Sequence, residues 1–157
     1  VYLDDIGNIE YAHQAKERYI EDFLKHLNTK AVQEAAFELV VDFADTPIAN
    51  VLPIILDELH CNVVALNANI DKTRGGTRRS QFQTVLKQLQ IVATALGVQL
   101  GARLDPGGEK IFLVDDRGYL LQDITACAAL VEIAFRDAPG SAVAIPINLP
   151  NRNTTIL

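Results

Sequence analysis

Cysteine is scarce in this chain of 157 residues, which holds only Cys61 and Cys127. Each sits inside an apolar pattern and not in a spaced ligand or bridge motif, so two buried free thiols in a reducing cytosol are expected. Positive charge is short as well: 14 Lys plus Arg stand against 20 Asp plus Glu, a formal net charge of -6. Polyanions are bound by clustered positive charge, so neither nucleic acid nor an anionic membrane is expected as a partner. Long hydrophobic runs are also missing. The most apolar stretch, Leu89 to Ala102, is interrupted by Gln90, Thr94 and Gln99 and is too short to span hydrocarbon as a helix. No charged-then-apolar leader opens the chain. These absences together give the expectation of a cytoplasmic protein. Serine is rare too, with Ser80 and Ser141 the only two.

A hydrophobic content of 49% is enough for one domain with a proper core, and the length leaves no room for a second complete one. The chain starts at Val1 without Met and ends on Thr154-Thr155-Ile156-Leu157, where a new element begins in the pattern. The expectation is a piece of something longer.

The hydrophobic period alternates between about 3.6 and 2 along the chain. Ile9, Ala12, Tyr19, Ile20, Phe23, Leu24 and Leu27 share one helical face, with Asn28 as the stop. A β-rich run, Phe37 to Asp42, follows. Asp45-Thr46-Pro47 then supplies a helix cap with proline in the first turn, and Pro53 places the regular part of that helix from about Asn50 to Leu59. Cys61 to Leu66 reads as a second strand, and Asn67 to Arg79 as a polar loop. Ser80 is read as the cap of a helix whose residues Phe82, Val85, Leu86, Leu89, Val92, Ala93 and Leu96 keep the i, i+3, i+4 rhythm up to Gly97. Val98 to Leu104 and Lys110 to Val114 read as a hairpin across Pro106-Gly107-Gly108. Asp123 is read as the cap of a helix ending near Arg136, and Ala142 to Ile147 as a last strand. Alternating β and α units with one tight hairpin predict an α/β fold, three-layer α/β/α, with a mixed, mostly parallel sheet.

Two segments carry candidate chemistry. Between the hairpin strands, Asp105-Pro106-Gly107-Gly108-Glu109-Lys110 places carboxylates at 105 and 109 around Gly107. A turn with carboxylates at alternate positions surrounds one hard cation with oxygen ligands, and here the middle one is glycine. The loop holding Arg74, Gly75, Gly76, Arg78 and Arg79 could clamp a phosphate, because guanidinium forks match its oxygens and glycines let backbone N–H groups approach; a solvated loop is the alternative. His13, His26 and His60 have no carboxylate or cysteine at ligand spacing. The run Val40 to Thr46 faintly resembles the aspartyl-nucleophile strand of haloacid-dehalogenase phosphatases, but position 44 is Ala where a second Asp belongs.

Phe37 to Asp42, Leu52 to Leu59, Cys61 to Val64, then Asp105 to Lys110, Val114-Asp115 and Gly118 together resemble the second domain of the α-D-phosphohexomutases, the phosphomannomutase and phosphoglucomutase family. The resemblance implies residues 1–30 as a connector helix, 31–140 as the domain, and 141–157 as the start of the following domain. In that family three aspartates of an Asp-Gly-Asp-Gly-Asp-Arg loop hold Mg2+ beside a phosphorylated serine from the first domain. Asp105 and Glu109 fall on the first and third metal positions, Gly107 on the second, and Lys110 on the arginine position. Asp45-Thr46 stands where the family usually shows Asn-Gly. Ser80 and Ser141 lie in no Thr-Ala-Ser-His-Asn-Pro-like context.

The resemblance thus implies a domain of sugar-phosphate or nucleotide-sugar metabolism. Its parent would be a phosphohexomutase acting on mannose or glucose phosphates, or a mannose-1-phosphate guanylyltransferase fusion. The piece itself would be inactive, since phosphoryl transfer needs nucleophile, metal and sugar clamp together. A non-catalytic packing or regulatory module of a sugar-1-phosphate nucleotidyltransferase is the second reading. Expected partners are a sugar phosphate by way of the parent, the other domains of the same chain, and further copies of this one.

Overall fold

A computed structural model describes residues 13–69, 79–105, 107–140 and 142–144, at 79 and 80 by backbone alone. Helix α1 spans Ala15–Lys25 and ends at His26, short of Leu27. Asn28, expected as a stop, instead caps a second short helix, α2 (Thr29–Ala35), its side chain accepting from the Ala31 amide at 3.2 Å. The chain then enters β1 (Glu38–Asp42).

After β1, Ala44 and Asp45 both take positive φ, 52° and 56°. Asp45 is therefore part of the turn and not the expected cap. Thr46 occupies the N-cap position of a 3-10 turn, Pro47–Asn50, without a side-chain capping bond. Helix α3 (Leu52–Glu58) follows, with Pro53 in its first turn, where a missing N–H costs nothing. Strand β2 spans Asn62–Leu66 and helix α4 Arg79–Leu96. Ser80 thus lies inside α4 and not before it. Gly97 closes α4 at φ +66°, the left-handed conformation expected of it.

Strands β3 (Leu100–Leu104) and β4 (Ile111–Val114) form the expected antiparallel hairpin. A two-residue strand β5 (Leu120–Leu121), which sequence reading did not anticipate, adds to β4. Helix α5 covers Asp123–Asp137 with Gln122 at the N-cap position, so Asp123 is its first residue and not its cap. Residues 142–144 have no regular structure, and the remainder of the strand expected there lies outside the described residues.

The sheet has five strands in the order β2-β1-β3-β4-β5. β1 pairs in parallel with β2 and β3, while β4 and β5 are antiparallel additions, so the sheet is mixed as expected. Alternation along β1 sends Val40 to one face and Val41 to the other. Val40 packs with Leu89, Ala93 and Val98 of α4 and the residues after it, together with Val114. Val41, Phe43, Ala102 and Leu104 pack against Ile48, Ala49, Leu52 and Leu56 on the opposite face. Helices therefore cover both faces. A further cluster, Ile20, Ile55 and Leu59, joins α1 to α3, with Cys61 packed at its margin; both free thiols, Cys61 and Cys127, are only half-buried and not buried as expected.

Candidate functional site

The connection from β1 leads to α3 on one face of the sheet, and that from β2 leads to α4 on the other. With β2 on one side of β1 and β3 on the other, the strand order reverses at the β1/β3 junction, and the crevice outside the carboxyl ends of the strands at such a reversal is the usual ligand position in open α/β sheets. Asp42, the last residue of β1, and Asn67, the first after β2, stand at this edge. β3 is parallel to β1 and ends there as well, so the Asp105–Lys110 turn leaves from the same side.

Asp42 organises the edge. Its carboxylate is 1% exposed, and Oδ1 accepts from the Ala44 amide at 2.9 Å and from Asn67 Nδ2 at 3.0 Å. Its Oδ2 accepts from Arg103 Nη1 on β3, itself 3% exposed. One side chain thus ties together the ends of three parallel strands. The turn after β1 is tied down further, since the Asp45 amide donates to the Asn67 carbonyl at 2.8 Å and the Phe43 amide to the Leu66 carbonyl at 2.9 Å. Thr46, 3% exposed, has a hydroxyl without a hydrogen-bond partner among the described residues.

The Asp105 turn is built around its first carboxylate. Asp105 Oδ1 accepts from the amides of Glu109 at 2.7 Å and Lys110 at 2.8 Å, and the backbone closes with Gly108 N to Asp105 O at 2.9 Å and Asp105 N to Lys110 O at 3.0 Å. These donors, the Lys110 amide foremost, hold the Asp105 carboxyl below the usual aspartate range. The turn after β4 repeats the device: Asp115 Oδ1 accepts from Arg117 N at 3.0 Å and Tyr119 N at 2.7 Å.

A β-carbon at Gly107 would lie 3.5 Å from Asp105 Oδ2 and 3.9 Å from the Glu109 carboxyl carbon. The two carboxylates therefore flank position 107, where a third side chain would stand between them. Lys110 is exposed at the far end of the turn. Among the described residues no group of three His, Cys, Asp or Glu is placed to hold a metal ion. Arg74 and Arg78 lie outside the described residues, and the backbone of Arg79 opens α4. Asp42, the nucleophile position in the phosphatase resemblance, is buried with both oxygens engaged.

Sequence reading missed the Asp42, Asn67 and Arg103 assembly. A signal for it was present in Leu100-Gly101-Ala102-Arg103-Leu104, where a single cation interrupts an apolar strand and so requires a buried anion.

Residues 17–118 match the family described as phosphoglucomutase/phosphomannomutase, alpha/beta/alpha domain II. A phosphoglucosamine mutase from Thioalkalivibrio sulfidiphilus is 30% identical over 140 residues, covering 88% of this chain and 30% of that protein. A phosphoglucomutase/phosphomannomutase from Thermococcus kodakarensis is 25% identical over 133 residues, covering 85% of this chain and 29% of that one. Among solved structures, a phosphoglucomutase/phosphomannomutase family protein from Burkholderia thailandensis superposes with a TM-score of 0.64 at 17% identity, over 80% of this chain and 27% of that chain. The chain thus spans under a third of the length of these relatives.

Proposed function

The chain belongs to the phosphoglucomutase/phosphomannomutase family, matching its second α/β/α domain, and on that premise we propose that it serves a phosphohexomutase-type protein of sugar-phosphate metabolism without carrying catalysis itself. Residues 31–140 are the domain on this reading, 1–30 its connector, and 141–157 the lead into a following one. The observation that carries the proposal is the Asp105–Lys110 turn. It stands at the carboxyl edge of the parallel strands, where such sheets bind ligands, and its two carboxylates flank an empty third position at Gly107.

Mg2+ does not fit the residues present. The cation demands near-octahedral oxygen coordination and releases its waters reluctantly. Here the turn offers two carboxylates, and one oxygen of Asp105 is engaged by two amides of its own turn. What the turn can present is a pair of carboxylates for sugar hydroxyls and the Lys110 ammonium for a phosphate. Arg74 and Arg78, between β2 and α4 in the chain, and Arg79 at the start of α4 would add phosphate-binding cations.

The test pairs turnover with binding. A coupled mutase assay on glucose 1-phosphate and mannose 1-phosphate is expected to give no product with this chain. The same sugars, titrated into isotopically labelled protein, are expected to shift the amide resonances of Gly107 to Lys110. Turnover abolished by Asp105→Ala would refute the loss of activity, and unshifted resonances would refute the sugar-phosphate reading.

A further inference from the structure

A buried ion pair is an unusual thing to place at the end of apolar strands. Removing two charges from water costs several kcal/mol for each ion, and replacing such a pair by apolar side chains of similar volume is often neutral or stabilising. Net stability therefore does not explain why Asp42 and Arg103 stand where they do, and their position suggests another reason.

Arg103 lies on the α4 side of β3, the face on which a β-carbon at Gly101, two residues earlier, would meet Ala93 and Leu89 of α4. Its cross-strand partner in β4 is Phe112, which packs edge-on against Phe82 of α4 with ring centroids 4.8 Å apart. Asp105, the anchor of the turn, is two residues further along the chain, just past the end of β3. On the other side of the pair, Asp42 holds Ala44, the first residue of the left-handed turn, and Asn67 at the exit from β2. The pair thus stands between the β1 and β2 exits and the Asp105 turn, and is linked to both.

We propose that Arg103 is a positioning residue: its bond to Asp42 fixes the Asp105–Lys110 turn in place beside the exits of β1 and β2. The inference deepens the sugar-phosphate reading of this edge and rests on it for its purpose. The geometry alone makes it testable. A guanidinium bonded to a carboxylate has a defined direction that packed apolar side chains lack, so it holds one strand end against its neighbour at a set height.

The experiment compares the wild-type chain with the double variant Asp42→Leu with Arg103→Met. Amide hydrogen exchange is read at Glu109 and Lys110, whose N–H groups bond to Asp105, and at Val41 and Ala102 in the sheet. The expected result is an unfolding midpoint and sheet protection close to wild type, with exchange at Glu109 and Lys110 faster by about tenfold or more. Unchanged protection at Glu109 and Lys110 in a folded double variant overturns the proposal. So does a uniform loss of protection across sheet and turn, since that is the signature of a purely structural pair. If the double variant does not fold, Arg103→Lys is read by the same criteria; it keeps the charge and removes the directional fork. Exchange is measured without ligand, so failure of sugar-phosphate binding leaves this result standing, and the reverse also holds.

Discussion

Asp105 uses its carboxylate to close its own turn, and this has a pH signature. Amides from Lys110, Glu109 and Gly107 favour the ionised form and lower the folded-state pKa below the ordinary aspartate value of 3.8. A depressed carboxylate pKa contributes stability that is present above the unfolded value and lost as pH falls through the folded one. Carbon-detected titration should therefore place the Asp105 midpoint below 3.8, with the Glu109 and Lys110 amides shifting at the same midpoint. An Asp105 midpoint at or above the ordinary value contradicts the turn geometry. The turn itself was legible in sequence, because Pro106-Gly107-Gly108 between two apolar runs is a local signal. Arg103 was legible only as a misfit in an apolar strand. Its partner was not, because Asp42 is 61 residues away and reaches it only when β3 lies beside β1.

At the scale of elements, α4 packs on the sheet most closely at Gly101. A β-carbon at Gly101 would stand 3.2 Å from the β-carbons of Ala93 and Val114, and 3.5 Å from Leu89 Cδ1. Both nearest neighbours are short side chains, with no flexible end to move aside. Gly101→Ala should overpack this seam and lose about 1–3 kcal/mol, read from the midpoint of urea unfolding. A loss under about 0.5 kcal/mol, the range of ordinary surface changes, would show that α4 can lift without cost. The helix and strand order came through in sequence because long periodic segments such as Phe82 to Leu96 are strong signals. Helix α2 and strand β5 did not. The seven residues of α2 include no buried one, and the two of β5 are too few to show alternation. Asp45 and Asp123 were misread for one reason. An aspartate near a helix start favours the cap position and also the first turn or the loop before it, and local sequence does not choose among them.

The whole molecule leaves apolar surface uncovered. No residue of α5 is buried, and Leu130 and Ile133 are 62% and 63% exposed. On α1, Tyr19 and Phe23 stack at 6.2 Å while remaining 56% and 40% exposed. Surfaces of this kind serve contacts with other domains of a longer chain or with further copies. Sedimentation over a range of concentrations is expected to reveal self-association, weakened by Leu130→Asp with Ile133→Asp; a strict monomer at every concentration contradicts it. Gly107 is the position where a third carboxylate would complete the turn. Its φ lies outside the left-handed range and a β-carbon there would meet its neighbours at 3.5 Å or more, ordinary van der Waals contact, so an aspartate can be placed there. Titration calorimetry with Mg2+ on the wild-type chain and on Gly107→Asp tests this directly. Negligible binding by the wild type at physiological concentrations is expected, with measurable binding once the third carboxylate is present. Micromolar Mg2+ binding by the wild-type chain, abolished by Asp105→Ala, would contradict that expectation.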